Sequence, residues 1–488
     1  MWKGFYFAIG SASGKSLNAL ARCFTGTFRA CDFFNPSAPF LSPGAITMAM
    51  NPNKIDSARM GARLRIPQRD QLEWGPQCVD ALLAPEHQAR TIWAVVCGLD
   101  LGRFHEPIQA RAGVAGRDAT DPRLLTALWL YAAVRGVGSA RELDRLCRES
   151  KPYIWLCGGI SVNYHLLADF RTGYGPALDG LFTEVIATLV KKGLVKVKRI
   201  SQDGLKVRAS AGSSSFRRAS TLQVLRQEAA GRVEQLKKML ADPAASGGMG
   251  AKKKAAKQRA ARERLERIDQ ALALIPKLQE RQERMAKRLS AKQKKEQQTE
   301  PRASTSDAEA SRMKMGNGGY SPAVNGQLAV DVESRAIVGV DVSGQGNDYD
   351  LSEPMRREVE QRTGQKVAEH LMDGGYSKYE HIESAAGQGV AIYAPPKPVR
   401  NKDKRADAFT PLPGDTEAIR QWRQRMGSEE GKTIYKQRAS TSETVNAQMR
   451  RSGLMQLTVR GLDKARCVLT WGALAYNVML FAKALTTA

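Results

Sequence analysis

Apolar residues recur along this chain with two periods, and the switches between them mark its elements. From Asp121 to Phe170 the period is helical: Leu124, Leu125, Leu128, Trp129 and Ala132 fall three and four apart behind the start signal Asp121-Pro122. Gly136 and Gly138 break that run. Ser139 then caps a second predicted helix carrying Arg141, Leu143, Leu146 and Cys147, and a third runs from Asn163 through Phe170. Between Leu194 and Val207 the period drops to two, with Val195, Val197 and Ile200 alternating with Lys196, Lys198 and Arg199. This predicts a strand that delivers Asp203 to its end, in Ser201-Gln-Asp-Gly204.

Residues 217 to 300 return to helical spacing. Leu222, Leu225, Ala229, Val233, Leu236 and Leu240 form one seam; Leu265, Ile268, Leu272 and Ile275 form another beyond a Gly/Ala/Lys linker at 244 to 257. Two helices sharing an apolar seam predict a basic helical hairpin, with Pro276 limiting the second seam and a polar tail to Arg302. Strands resume at Gln327 to Val332 and Ala336 to Val342, a hairpin across Glu333-Ser-Arg335. Helices over 351 to 363 and Lys378 to Ala386 then alternate with strands at Val367 to Met372 and Val390 to Tyr393, and beyond a Pro- and charge-rich linker at 395 to 417 the rest reads as helix. Hairpin strands followed by alternating strands and helices predict an α/β fold with a mixed sheet.

This suggests four segments. Residues 1–47 are aromatic and basic with a single acid, Asp32, and read as an extension outside the fold; the run Gly10 to Ser16 fails as a phosphate loop, because that spacing needs glycine where Ile9 stands. Residues 48–190 form a helical domain, whose short helices, tight Gly turns and arginines fit either a helix-turn-helix DNA reader or a plain subdomain packed on its neighbour. Residues 191–216 and 303–488 form the α/β domain, interrupted by the basic insertion 217–302.

Length favours two or three domains in 488 residues. Charge narrows the function: 75 Lys plus Arg against 49 Asp plus Glu gives +26, a self-repulsion suited to a polyanionic partner, nucleic acid first. The hairpin's Lys and Arg suit DNA phosphates, or serve as a solvated spacer or dimerisation element. Seven scattered cysteines (Cys23, Cys31, Cys78, Cys97, Cys147, Cys157, Cys467) without a Cys-x2-Cys spacing argue against zinc and disulfides and fit a reducing cytoplasm. No apolar run reaches the length of a membrane span; the nearest, Val468 to Ala482, is short. His87, His105, His165, His370 and His381 have no ligand spacing, and Trp471 and Tyr476 read as core.

Asp203-Gly204 and Asp373-Gly374 both follow predicted strands, where two side chains can converge on a ligand; Asp-Gly is also an ordinary turn pair. The runs Ser201-Gln-Asp-Gly-Leu-Lys-Val-Arg-Ala209, Met372-Asp-Gly-Gly-Tyr-Ser377, Ile434-Tyr-Lys-Gln-Arg-Ala-Ser-Thr-Ser-Glu-Thr-Val-Asn446 and Val459-Arg-Gly-Leu-Asp-Lys464, with Asn477 and the stretch from Asp121 to Gly159, carry a resemblance. Together, over about residues 50 to 485, they resemble the DDE transposases of bacterial insertion sequences, in the branch called after insertion sequence eleven-eighty-two, related to the insertion-sequence-four and -five types.

The resemblance implies a ribonuclease-H-like domain with Asp203 on the first strand, Asp373 just after the fourth and Glu443 on a following helix. These acids would hold two Mg2+ (or Mn2+) ions for DNA cleavage at element ends and strand transfer. The implied partners are double-stranded DNA, as terminal inverted repeats and target, and a second copy of the chain. Three carboxylates within about 4 Å repel by several kcal/mol per pair at an effective dielectric of 20, so the cluster stays ionised only around a cation.

One departure concerns register. Related transposases carry Tyr-x2-Arg-x3-Glu, whereas here Tyr435 and Arg438 are followed by Glu443 one residue late, with Ser442 in the family position. On a continuous α-helix, Arg438 and Glu443 would stand about 140° apart. The expectation is therefore that Arg438 precedes the helix, free to hold a phosphate bidentately. Ser440-Thr-Ser-Glu443 also reads as a capping box, with Glu429 and Glu430 as substitute acids. Tyr435, Lys206, Arg208, Arg141 and Arg460 are further candidate DNA contacts, a solvated strand face being the alternative for Lys206 and Arg208. The competing functions are a DNA-binding protein or decayed transposase without chemistry, and a nuclease that cuts without joining.

Overall fold

The computed structural model describes residues 78–110, 118–241, 250–286, 300–397 and 407–486; the extension expected over 1–47 and the Gly10 to Ser16 run lie outside the described residues. The strands are β1 Arg199–Arg208, β2 Phe216–Arg217, β3 Ala303–Ser304, β4 Ser311–Lys314, β5 Tyr320–Asp331, β6 Ile337–Ser343, β7 Glu369–Leu371 and β8 Ala391–Tyr393. The main sheet runs β6-β5-β1-β7-β8, with β4 also paired to β5. Its β6-β5-β1 half is antiparallel and its β1-β7-β8 half parallel, a mixed sheet in an α/β fold.

The alternation at 195 to 200 becomes a strand later than expected, because Val197 takes a φ of 45° before β1 begins. Asp203 then lies in mid-strand rather than at a strand end. Pairing explains this: β5 accompanies β1 from Ile200↔Asp331 to Arg208↔Ala323 and keeps it extended well beyond Asp203. On the other edge β7 pairs only from Arg199↔Glu369 to Ser201↔Leu371, so that edge opens just before Asp203.

Among the described residues, seven α-helices precede the sheet: α1 Gln88–Cys97, α2 Gly102–His105, α3 Pro122–Val134, α4 Ala140–Glu149, α5 Lys151–Cys157, α6 Tyr164–Gly173 and α7 Gly175–Lys191. Asp121, Ser139 and Asn163 each cap their helix by accepting a backbone N–H, as the sequence indicates. Ten of the thirteen residues of α3 are buried, so this helix is a core member and has no free face for a DNA groove. The arginines of α4 are outside it, where Arg145 pairs with Glu142 and Glu149.

The insertion is α8 Ala219–Ala241 and α9 Ala251–Ala286, packed through Leu222, Ala229, Ile268, Ala271 and Ile275. Its base is closed by β2 and β3, Phe216 opposite Ser304. Pro276 does not end the second helix: α9 continues ten residues past it, with Leu278 still packed on the seam. A proline costs one backbone hydrogen bond and a kink, which apolar packing on both sides of it offsets.

The remaining helices are α10 Ser352–Thr363, α11 Tyr379–Gly387, α12 Glu417–Gly427, α13 Glu429–Arg438, α14 Thr444–Arg451, α15 Leu462–Leu480 and α16 Ala482–Thr486. The apolar stretch around Val468 is α15, twelve of whose nineteen residues are buried between β6 and helices α3, α6 and α7. Its Asn477 amide clamps the start of β6, accepting from Ile337 N (2.9 Å) and donating to Ile337 O (2.8 Å). Among the described residues no helix is long and apolar enough to cross a membrane. One core joins the first seven helices, strands β1, β5 and β6, and α15; a second, with Leu371, Met372, Tyr376 and Trp422, lies under β7, β8 and α11 to α13 and fixes the chain around Asp373.

Candidate active site

The parallel register brings the first two acids together. Ser201↔Leu371 is the last β1–β7 pair, and Asp203 and Asp373 each lie two residues beyond it. A step of two keeps both on one face of the pleat. Asp373 leaves its strand at once, its Oδ1 accepting from Gly375 N (2.7 Å). The Asp203 carboxyl is pushed up by burial and by the nearby Asp373 charge, against the lowering effect of Arg438. Gly204 is required where it stands: a Cβ there would meet Asn325 Oδ1 at 2.9 Å, Asp348 Oδ1 at 3.0 Å and Gln327 Nε2 at 3.1 Å.

The third acid arrives through a helix that changes pitch. α13 ends at Arg438 and α14 begins at Thr444, but backbone dihedrals stay helical throughout, and Ala439–Glu443 forms a turn of π-helix. A π-turn, with bonds from i to i+5, accommodates one extra residue without ending the helix. This corrects two expectations. Arg438 does not precede the helix, and Ser440 is not its cap: its hydroxyl donates to Gln437 O (3.0 Å). The extra residue between Arg438 and Glu443 is absorbed by the wide turn, and the two side chains meet, Arg438 Nη2 lying 3.8 Å from Glu443 Oε1.

The same helix packs on the Asp203 face of β1. Ser442, 1% exposed, bonds its hydroxyl to that of Ser201, and Asn446 Nδ2 donates to Asp203 Oδ2 at 3.1 Å. Arg438 Nη1 stands 3.6 Å from the same oxygen, and Arg438 Nε donates to Tyr435 Oη (3.4 Å). Arg438, Ser442 and Asn446 are four apart, one stripe along a helix. Glu443 itself is exposed, its side chain 60% accessible.

Two family matches bear on this geometry: residues 289–478 match the family described as Transposase DDE domain, and residues 77–173 match one described as Transposase domain (DUF772). The chain belongs to the DDE transposases of insertion sequences. It is an enzyme of DNA transposition, cleaving DNA and transferring strands. No curated protein and no solved structure matches the chain. The DDE match contains Asp373, Arg438 and Glu443 but begins after Asp203; the helical insertion lies between β1 and the later strands of the sheet. The other match covers α1 to α6 of the transposase.

Such enzymes are generally dependent on divalent metal. The donor set fits a hard cation: its atoms are carboxylate oxygens, and Asp203 is burdened by burial and a like charge that a cation would relieve. Among the described residues, no three His, Cys, Asp or Glu side chains are spaced to hold one ion. Arg438 stands between Asp203 and Glu443 instead.

Of the candidate DNA contacts, Arg438 and Tyr435 join the acids. Lys206 and Arg208 lie farther along β1, Arg208 pairing its backbone with Met455 and Leu457. Arg141 stacks on Tyr164, 5.2 Å from its centroid, and Arg460 is exposed before α15; none of these four bonds to the acids among the described residues. Glu429 is occupied by Lys432 (2.8 Å) at the far end of α13.

The sequence named Asn446 and Ser442 in the motif but not as partners of Asp203 and Ser201, and it did not single out a further acid, Asp348. Asp348 Oδ1 accepts from Asn325 Nδ2 (2.7 Å) and Gln327 Nε2 (2.8 Å), while Gln327 Oε1 takes the Tyr376 hydroxyl. Its charge bears on both Asp203 and Tyr376. The Arg438/Ser442/Asn446 stripe was a usable signal. Asp348, in a loop with Gly344 and Gly346, offered none.

Proposed function

We propose that Asp203, Asp373 and Glu443 are the catalytic carboxylates of this transposase and together hold two Mg2+ or Mn2+ ions. The observation that carries the reading is the common step beyond the Ser201↔Leu371 pair, which sets Asp203 and Asp373 side by side. The π-turn that brings Glu443 to Arg438 supplies the third. When bound, two such ions activate the attacking oxygen and stabilise the leaving one in an in-line phosphoryl transfer. The chain's own part is positional. Asn446 holds Asp203 by one oxygen, Ser201 and Ser442 lock the helix to the strand, and Arg438 with Tyr435 takes a DNA phosphate.

The strand order β6-β5-β1-β7-β8, antiparallel then parallel, supports a ribonuclease-H-like catalytic domain over 191–216 and 303–488. Residues 48–190 would then contribute DNA contacts from the arginines of α4, with Arg460, Lys206 and Arg208 as outer phosphate contacts. The insertion 217–302 would clamp DNA through its basic faces, a homodimer would bring two terminal inverted repeats to target DNA, and the chain would fall in the branch of insertion sequence eleven-eighty-two.

The test uses terminal-repeat DNA with Mg2+ or Mn2+. Asp203→Asn, Asp373→Asn and Glu443→Gln should each abolish cleavage and strand transfer while DNA binding in EDTA persists. Cleavage surviving in Glu443→Gln would reassign the third acid to Glu429 or Glu430.

A further inference from the structure

Two acids of this centre flank a cation that the chain itself supplies. The Arg438 guanidinium lies 3.6 Å from Asp203 Oδ2 and 3.8 Å from Glu443 Oε1, and the Asp373 charge also bears on it. Both separations are ion-pair distances beyond hydrogen-bond length. Its side chain is 15% exposed, and Nη1 is buried with no hydrogen-bond partner. A guanidinium is not deprotonated in proteins, so Arg438 brings a full positive charge to the cluster. Arg438 is thus held in the cluster by the field of the acids rather than by hydrogen bonds to them. An unpaired buried N–H is costly, and a planar guanidinium with unused donors matches two oxygens of one phosphate.

We propose that Arg438 is the resident counter-ion of the free transposase, standing where divalent cations would be held until a DNA phosphodiester draws its guanidinium away. The inference rests on the acid assignment made above. It accounts for the lack of three acids spaced around one ion among the described residues, with the guanidinium between two of the three. It also fixes the order of assembly, with cation affinity low before DNA arrives. Linkage is reciprocal: whatever factor DNA adds to cation affinity, the cation adds to DNA affinity.

The experiment is calorimetric titration of Mn2+ into metal-free, full-length protein, with and without uncleaved terminal-repeat DNA. Without DNA, Arg438→Gln should bind Mn2+ about tenfold more tightly than wild type. The gain in Mn2+ affinity on adding DNA should shrink in that variant by the same factor. Arg438→Lys keeps the charge and should bind Mn2+ as weakly as wild type, which also serves if the Gln variant folds poorly by thermal unfolding. Unchanged or weaker Mn2+ binding by Arg438→Gln overturns the proposal; so does tighter binding by both variants, since shape rather than charge would then be what was removed. Asp203→Asn separates the two layers. If it abolishes Mn2+ binding while Arg438→Gln fails to enhance it, the acids stand and the counter-ion role falls; if it leaves Mn2+ binding intact, both fall.

Discussion

The π-turn makes a prediction opposite to the one that family spacing suggests. In an uninterrupted α-helix the acid four residues after Arg438 would face Asp203, and that position is Ser442. In the structure Ser442 is 1% exposed, with its hydroxyl on that of Ser201, and Glu443 carries the contact to Arg438. Exchanging the two, Ser442→Glu with Glu443→Ser, restores the spacing of related enzymes and should nevertheless destroy the site. Orphaning the Ser201 hydroxyl costs about 1–3 kcal/mol, and forcing extra atoms into a packed position costs about 1–3 kcal/mol more. A carboxylate buried there without a dedicated partner adds a further penalty of order kcal/mol. The sum, roughly 3–7 kcal/mol, is a large share of a typical stability of about 5–15 kcal/mol. Urea unfolding should therefore show the unfolding free energy lowered by that amount, and terminal-repeat cleavage in Mg2+ should be absent. Glu443→Ser alone should be nearly as stable as wild type and equally inactive, which assigns the stability loss to position 442. A doubly exchanged protein as stable as wild type that also cleaves DNA would mean the helix runs without a π-turn and that the acid belongs at 442.

Other consequences concern charge. Because burial and Asp373 raise the Asp203 carboxyl, the folded state prefers its neutral form, so this group destabilises the fold above the ordinary value of 3.8 and ceases to do so below it. Asp203→Asn should accordingly raise the melting temperature at neutral pH in EDTA, an advantage that fades as pH falls toward 3.8; a variant that melts lower at neutral pH contradicts the burial argument. His370 is fully buried, and that burial, helped by Arg356, lowers its pKa from 6.5 to about 3. It adds stability above 6.5 that is lost as pH falls below it, at up to about 1.4 kcal/mol per pH unit. His370→Leu should flatten that slope in urea titrations between pH 6.5 and 4, and an unchanged slope counts against a neutral buried histidine. DNA affinity should drop steeply with salt, and replacing residues 219–299 by a short linker across the β2–β3 base should flatten the log–log plot by roughly 0.9 for each phosphate that the hairpin had neutralised. An unaltered slope would make the hairpin a spacer.

What the sequence revealed, and where it stopped, follows from the range of the forces involved. Helix caps and seams are local: Asp121, Ser139 and Asn163 cap their helices, and Leu222, Ile268 and Ile275 pair the hairpin, because spacing within a few residues decides them. The position of Asp203 within its strand was not local. Alternation says that a segment is extended but not how far each neighbour accompanies it, and here β5 continues past Asp203 while β7 stops before it. What makes Asp203 an edge residue is thus the length of a distant strand, β7, so the feature read as a strand end was in fact the end of one partner.

The third acid shows the same limit at shorter range. Ala439-Ser-Thr-Ser has the composition of a helix start, because Ser and Thr hydroxyls compete for backbone groups. In the folded chain those hydroxyls work in the opposite sense: Thr441 Oγ1 donates to Gln437 O (2.8 Å) and Arg438 O (3.1 Å), and Ser440 to Gln437 O, supplying donors to carbonyls at the widened turn. Cap and π-turn draw on the same residues, and only tertiary packing separates them. Val445 and Met449, both fully buried, and the Asn446 bond to Asp203 hold the helix beyond the turn, while Ile434 holds it before. With both ends fixed, the residue between Arg438 and Glu443 that the family spacing lacks has no other way out than to widen one turn. The one-residue departure from the family spacing is thereby accounted for by the packing that puts Glu443 beside Arg438.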